Sequence, residues 1–141
     1  MCGQLLNLKK LKNFDIIKYK VRKEIYMGTN YYVVPNRPSV EEPIHIGKSS
    51  AGWMFLFQEI DSPWHEPPII WHTYEQVMDW LQRYTVDTSE YVILDEYDRV
   101  VSLEELDNRI QEKQISCKNN PDNFTYCKNV NGYRFEEREF S

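Results

Sequence analysis

No run of eighteen or more apolar residues occurs in this 141-residue chain, so no segment reads as a membrane-crossing helix. The first 26 residues lack the uninterrupted apolar stretch and small-residue cleavage site of a signal peptide, because lysines break up their apolar positions. Cysteine is sparse: Cys2, Cys117 and Cys127 are an odd number with no C-x-x-C spacing. That points to reduced thiols over a disulfide framework, with Cys117–Cys127 as the one pairing to weigh. There are only three histidines, His45, His65 and His72, and their spacing matches no zinc signature. Internal repeats and low-complexity tracts are also missing.

Aromatic residues are abundant, at 14% of the chain with four Trp and ten Tyr. Apolar residues make up 41% and charged residues 28%, an ordinary globular balance at a length typical of one domain. The net charge of −5 is unevenly spread. Residues 1–26 hold seven Lys/Arg against Asp15 and Glu24, a net +5. Of the 17 basic and 22 acidic residues in all, ten and twenty remain for residues 27–141, a net −10. An acidic body repels phosphate backbones, so nucleic-acid binding by residues 27–141 is disfavoured. The basic leader, disordered or helical, is expected to pack little against the rest.

The pattern predicts an α+β fold: one small domain over residues 27–141, with a mostly antiparallel sheet, hairpins and two amphipathic helices. Strands are expected at Tyr31–Val34, Ile44–Ile46, Trp53–Phe57 and Tyr91–Leu94, with a short return strand at Arg99–Val101. Gly47 to Gly52 reads as a six-residue turn. Pro63, Pro67 and Pro68 exclude regular structure from their stretch. Thr73 with Gln76, and Ser102 with Glu105, are capping-box pairs that open helices. Tyr74, Val77, Met78, Leu81 and Tyr84 line one helix face; Leu103, Leu106 and Ile110 line the other helix. Asn131-Gly132 predicts a type I′ turn between strands at Phe124–Lys128 and Tyr133–Phe140.

Gly47-Lys48-Ser49 matches the end of a phosphate-binding loop, but position 42 is Glu42 where that loop needs glycine, and a strand follows where it needs a helix. A hairpin turn is the simpler reading. His45, Gly47, Lys48, Ser49 and Ser50 are nonetheless the candidate ligand-binding residues, since such a turn brings backbone N–H groups, an ammonium and hydroxyls together for a small anion or nucleotide. Trp53, Trp64 and His65 are the candidate partner interface, because a Trp in a proline-rich loop is a good anchor. The carboxylates around Asp95 and Glu136 read as solvated turn and strand charges. No nucleophile, base and orienting group can be picked out as a set, so no catalytic residue, metal or cofactor is assigned.

Met27-Gly28-Thr29-Asn30-Tyr31-Tyr32, then His45-Ile46-Gly47-Lys48-Ser49-Ser50-Ala51-Gly52-Trp53, then Asp95-Glu96-Tyr97 with Arg99, and Glu139-Phe140-Ser141 resemble blocks of a family of small uncharacterised proteins encoded by tailed bacteriophages and prophages. The resemblance covers residues 27–141 and skips the leader. It implies a viral gene product working in the cytoplasm of an infected bacterium, not a particular activity. Relatives carry a C-x-x-C pair just before the His-Ile-Gly block, which implies a small metal site. Residues Pro35 to Pro43 of this chain contain no cysteine.

Three functions are therefore carried forward. The first is an accessory protein that binds a host protein. The second is a binder of a small anionic ligand at Gly47–Gly52. The third, with least support, is a small hydrolase-like enzyme using His45.

Overall fold

Residues 28–141 are described by a computed structural model. The expected leader, residues 1–26, lies outside them. Within the described residues the α+β expectation holds. A sheet of seven strands runs β7-β6-β1-β2-β3-β9-β8, and two further strands form a small separate sheet.

The strands are β1 (Thr29–Pro35), β2 (Ile44–Ser49), β3 (Leu56–Gln58), β4 (Ile60–Ser62), β5 (Ile69–Trp71), β6 (Tyr91–Asp95), β7 (Val100–Val101), β8 (Lys128–Val130) and β9 (Tyr133–Glu136). All neighbours in the large sheet are antiparallel except β3 and β9. Helix α1 (Tyr74–Leu81) runs on into a π-helical segment, Gln82–Asp87, and α2 (Leu103–Ser116) follows β7.

Both helices start where their caps predict. Thr73 Oγ1 accepts from Gln76 N at 3.1 Å and Ser102 Oγ from Glu105 N at 3.0 Å. The reciprocal half of each capping box is replaced. Gln76 Oε1 takes the N–H of His72 instead (2.7 Å), and Glu105 turns to the Arg99 guanidinium. The Asn131-Gly132 turn has φ of 52° and 88°, as a type I′ hairpin requires. Its first strand begins at Lys128, later than the pattern predicts. Pro63, Pro67 and Pro68 fall in the connection between β4 and β5, which pair across them.

Three expectations are corrected. The strand expected at Trp53–Phe57 is Leu56–Gln58, and the last strand stops at Glu136, short of Phe140. Gly47 to Gly52 is not a six-residue turn, because β2 continues through Ser49 and pairs with both β1 and β3. The turn proper comes after it, where Ser50 O accepts from Trp53 N at 3.2 Å and Gly52 has φ +82°. The small polar residues read as a turn, but two neighbouring strands satisfy their backbone groups as a ladder, and pairing decides the conformation.

The core lies between the large sheet and the helices. Val33, Ile46, Phe57, Ile93 and Phe135 of the sheet pack with Trp71, Val77, Leu81, Leu106 and Ile110. Gly47 belongs to this contact. A Cβ there would lie 2.3 Å from the Leu56 carbonyl oxygen and 2.5 Å from the Phe55 ring. Gly52 has open space, and only its backbone angle demands glycine. Gly47→Ala should therefore destabilise by about 2–3 kcal/mol through overpacking. Gly52→Ala should cost about 1 kcal/mol from left-handed backbone strain. Urea unfolding of the two variants checks this, and the reverse order would contradict the packing assigned to Gly47.

Candidate functional site

A β-bulge on β2 organises the site. Tyr31 of β1 pairs with Gly47, but the next residue, Tyr32, pairs with His45, so Ile46 is the extra residue. Cross-strand partners share a face. Tyr31 and Val33 are buried toward the helices, and Gly47 and Ile44 lie opposite them. Asn30 and Tyr32 point to the other face, and Lys48 and His45 lie opposite those. The bulge thus keeps Ile46 in the core and still turns His45 and Lys48 to the face away from the helices.

The segment after β9 folds back over that face. Gln58 Nε2 donates to the carbonyls of Glu136 (3.0 Å) and Arg138 (3.1 Å). Lys48 Nζ donates to Ser141 O at 3.1 Å. The Phe140 ring stands edge-on to His45, with centroids 4.6 Å apart, and Tyr32 lies 5.1 Å away. His45 Nε2 is 2.8 Å from Asn30 Oδ1, and its Nδ1 is 3.4 Å from Gln58 Oε1. Since the Gln58 NH2 is committed to the tail carbonyls, its oxygen is the end that faces the imidazole. Burial holds His45 below the usual histidine value, and the Lys48 charge adds to this against smaller opposing hydrogen bonds from Gln58 and Gly47.

Beside His45 a hollow of about 460 Å³ opens, bordered by Tyr32, Gln58, Phe140 and the carboxylates Glu59, Asp61, Glu137 and Glu139. A charge cluster stands next to it. His72 bonds Glu59 through Nδ1 (2.8 Å) and Asp61 through Nε2 (3.1 Å), and Lys128 Nζ reaches Glu59 at 2.6 Å. The Glu59 hydrogen bond, followed by that of Asp61, raises His72 above its ordinary value. Burial pulls Glu59 upward, but the bonds from His72 and Lys128 outweigh it and leave the carboxyl lowered.

The residues nominated from the sequence are dispersed. His45 and Lys48 share the open face, whereas Ser49 is fully buried with an Oγ that has no hydrogen-bond partner. Ser50 is in the turn, and its carbonyl is tied to Lys113 Nζ of α2 at 2.9 Å. Gly47, Lys48, Ser49 and Ser50 therefore do not form a common nest of donors. Trp53 is engaged within the fold, with the Arg134 guanidinium carbon 5.0 Å from its ring. Trp64 is 81% exposed. His65 beside it bonds Pro67 O (2.7 Å) and Glu41 Oε1 (2.9 Å), and Tyr91 OH donates to the same Glu41 oxygen at 2.9 Å. Among the described residues no group of three His, Cys, Asp or Glu is placed to hold a metal ion. Nor is any of their helices long and apolar enough to cross a membrane.

Tyr32, Gln58, Glu59, Asp61 and Phe140 join the site only in the folded chain. Tyr32 and Phe140 do fall in the segments Met27–Tyr32 and Glu139–Ser141 quoted from the sequence, and those segments meet at His45. Asn30, Tyr32 and Phe140 all contact His45, and Asn30 N donates to Glu96 Oε1 at 3.0 Å. Gln58 and Glu59 carry no sequence signal. No family model, curated protein or solved structure matches the chain.

The cluster around His72 has a pH signature. A raised histidine adds stability that is fully present below its unfolded value of 6.5 and is lost as pH rises through the folded value. The lowered Glu59 adds stability that is present above 4.5 and is lost as pH falls through its folded value. The melting-temperature advantage of the native protein over His72→Asn should therefore peak between about pH 4.5 and 6.5 and shrink in more alkaline buffer. Thermal unfolding from pH 4 to 9 measures it. An advantage that grows with pH would refute the arrangement.

Proposed function

We propose that this domain is a protein-binding accessory factor that docks a partner through the Trp64 loop. The observation that carries this reading is a large indole, 81% exposed, on a loop that is held in place. His65 ties the loop to its own Pro67 and to Glu41 of the segment before β2. That segment also presents the fully exposed Val40, next to Glu41 in sequence. A pre-positioned aromatic loses little entropy on binding and contributes a large contact area, as interface hot spots do. The resemblance to tailed-phage proteins supports a host protein as the partner and the cytoplasm of an infected bacterium as the place.

Two observations favour this reading over the alternatives. The candidate anion-binding residues do not converge, with Ser49 buried on one side of the sheet and Lys48 on the other. The enzyme reading needs a nucleophile near His45, and the ring nitrogens instead face the amides of Asn30 and Gln58.

The test compares capture from a bacterial host lysate by the native protein, Trp64→Ala and Val40→Ser. Trp64→Ala should leave the melting temperature within about 2 °C, as expected for an exposed site. It should weaken binding of the captured partner at least about tenfold, the 1.4 kcal/mol or more of a hot-spot residue. A partner held equally well by Trp64→Ala, or no specific partner at all, would refute the assignment.

A further inference from the structure

The hollow at His45 is separate from the Trp64 loop, since neither Trp64 nor His65 borders it. At about 460 Å³ it falls in the size range of small-molecule sites. Three aromatic rings, of Tyr32, His45 and Phe140, contribute to its wall. No Lys or Arg lines it, while four carboxylates do.

The cations nearby are already engaged. Lys128 lies against Glu59, and His72 bridges Glu59 and Asp61. Glu137 approaches Lys128 only to 3.7 Å, and Glu139 forms no ion pair among the described residues. Burial disfavours the charged form of His45, which works against a positive charge on that ring. An anion entering here would meet uncompensated negative charge, and a neutral molecule would leave that charge unused. A cation would gain both the aromatic surfaces and the spare carboxylate.

We propose that this hollow is a binding site for an organic cation, an ammonium or guanidinium on a short apolar stem. The stem lies against Tyr32 and Phe140, and Glu139 is the principal counter-charge. The same group could arrive on a free small molecule or as the Lys or Arg side chain of a protein, so both sources are tested. The site does not depend on the Trp64 reading, and Trp64→Ala should leave it intact.

Three probes distinguish the outcomes in calorimetric or NMR titrations of the full chain: N-acetyl-arginine methyl ester, the blocked peptide acetyl-Gly-Arg-Gly-amide, and the uncharged N-acetyl-citrulline methyl ester. At least one arginine probe should saturate with a Kd of about 1 mM or tighter, and the citrulline ester should bind at least about tenfold more weakly. Preference for the ester indicates a free ligand, and preference for the peptide indicates a side chain. Glu139→Gln and Phe140→Ala, both in the tail outside the core, should each weaken binding about fivefold or more with melting unchanged. Should Phe140→Ala alter melting, Glu139→Gln decides alone. No saturable binding of either arginine probe, equal binding of citrulline, or unaltered affinity in Glu139→Gln would overturn the proposal.

Discussion

The whole arrangement depends on one unpaired residue in β2. Without the bulge at Ile46, strict alternation would place His45 and Lys48, three residues apart, on opposite sides of the sheet. The extra residue lets Ile44, Ile46 and Gly47 all serve the helix-facing core while His45 and Lys48 face away from it. Gly47 makes the bulge compatible with dense packing, since Phe55 and the Leu56 carbonyl occupy the space a side chain would need. A local backbone irregularity thus sets both the core and the open face.

That open face is then closed by the chain's own tail. Gln58 is the hinge of this closure, because its amide NH2 holds two tail carbonyls while its oxygen faces His45. The parallel pairing of β9 with β3 aims the tail in the required direction, since the segment leaving β9 continues past Gln58 toward His45. Two of the histidines have opposite character. His45 is walled in by rings and amides and disfavours its charged form. His72, between two carboxylates near solvent, favours it. The hollow lies between these environments, and its electrostatic sign is set by the carboxylates that Lys128 and His72 leave uncompensated.

Much of the fold was legible in the chain. Thr73 and Ser102 marked the helix starts, Asn131-Gly132 marked the last turn, and the apolar spacing of both helices named residues that are buried. The main failure was at Gly47 to Gly52, where glycine and serine have low strand preference and the pairing that overrides it comes from residues on either side in space. Asp95 is a second case. It reads as a solvated turn charge, yet it is buried and its carboxylate accepts from the backbone of Tyr97 and Arg99, so the acidic turn is structural. The site is less legible. His45 stands out in the sequence, but Gln58, Glu59 and Asp61 do not, because nothing local marks a residue whose role is to face another strand or tail.

By itself the sequence determined the α+β class, the positions of both helices, the hairpin turn and the acidic character of residues 27–141. These follow from short-range physics: periodicity, capping, turn stereochemistry and charge count. Tertiary structure alone decided the register of β2 against β1, the parallel docking of β9, the burial of Ser49 and the meeting of Tyr32, His45, Gln58 and Phe140. Those depend on which strands become neighbours. A one-residue change of register moves a side chain to the opposite face of a sheet, and no local pattern records it.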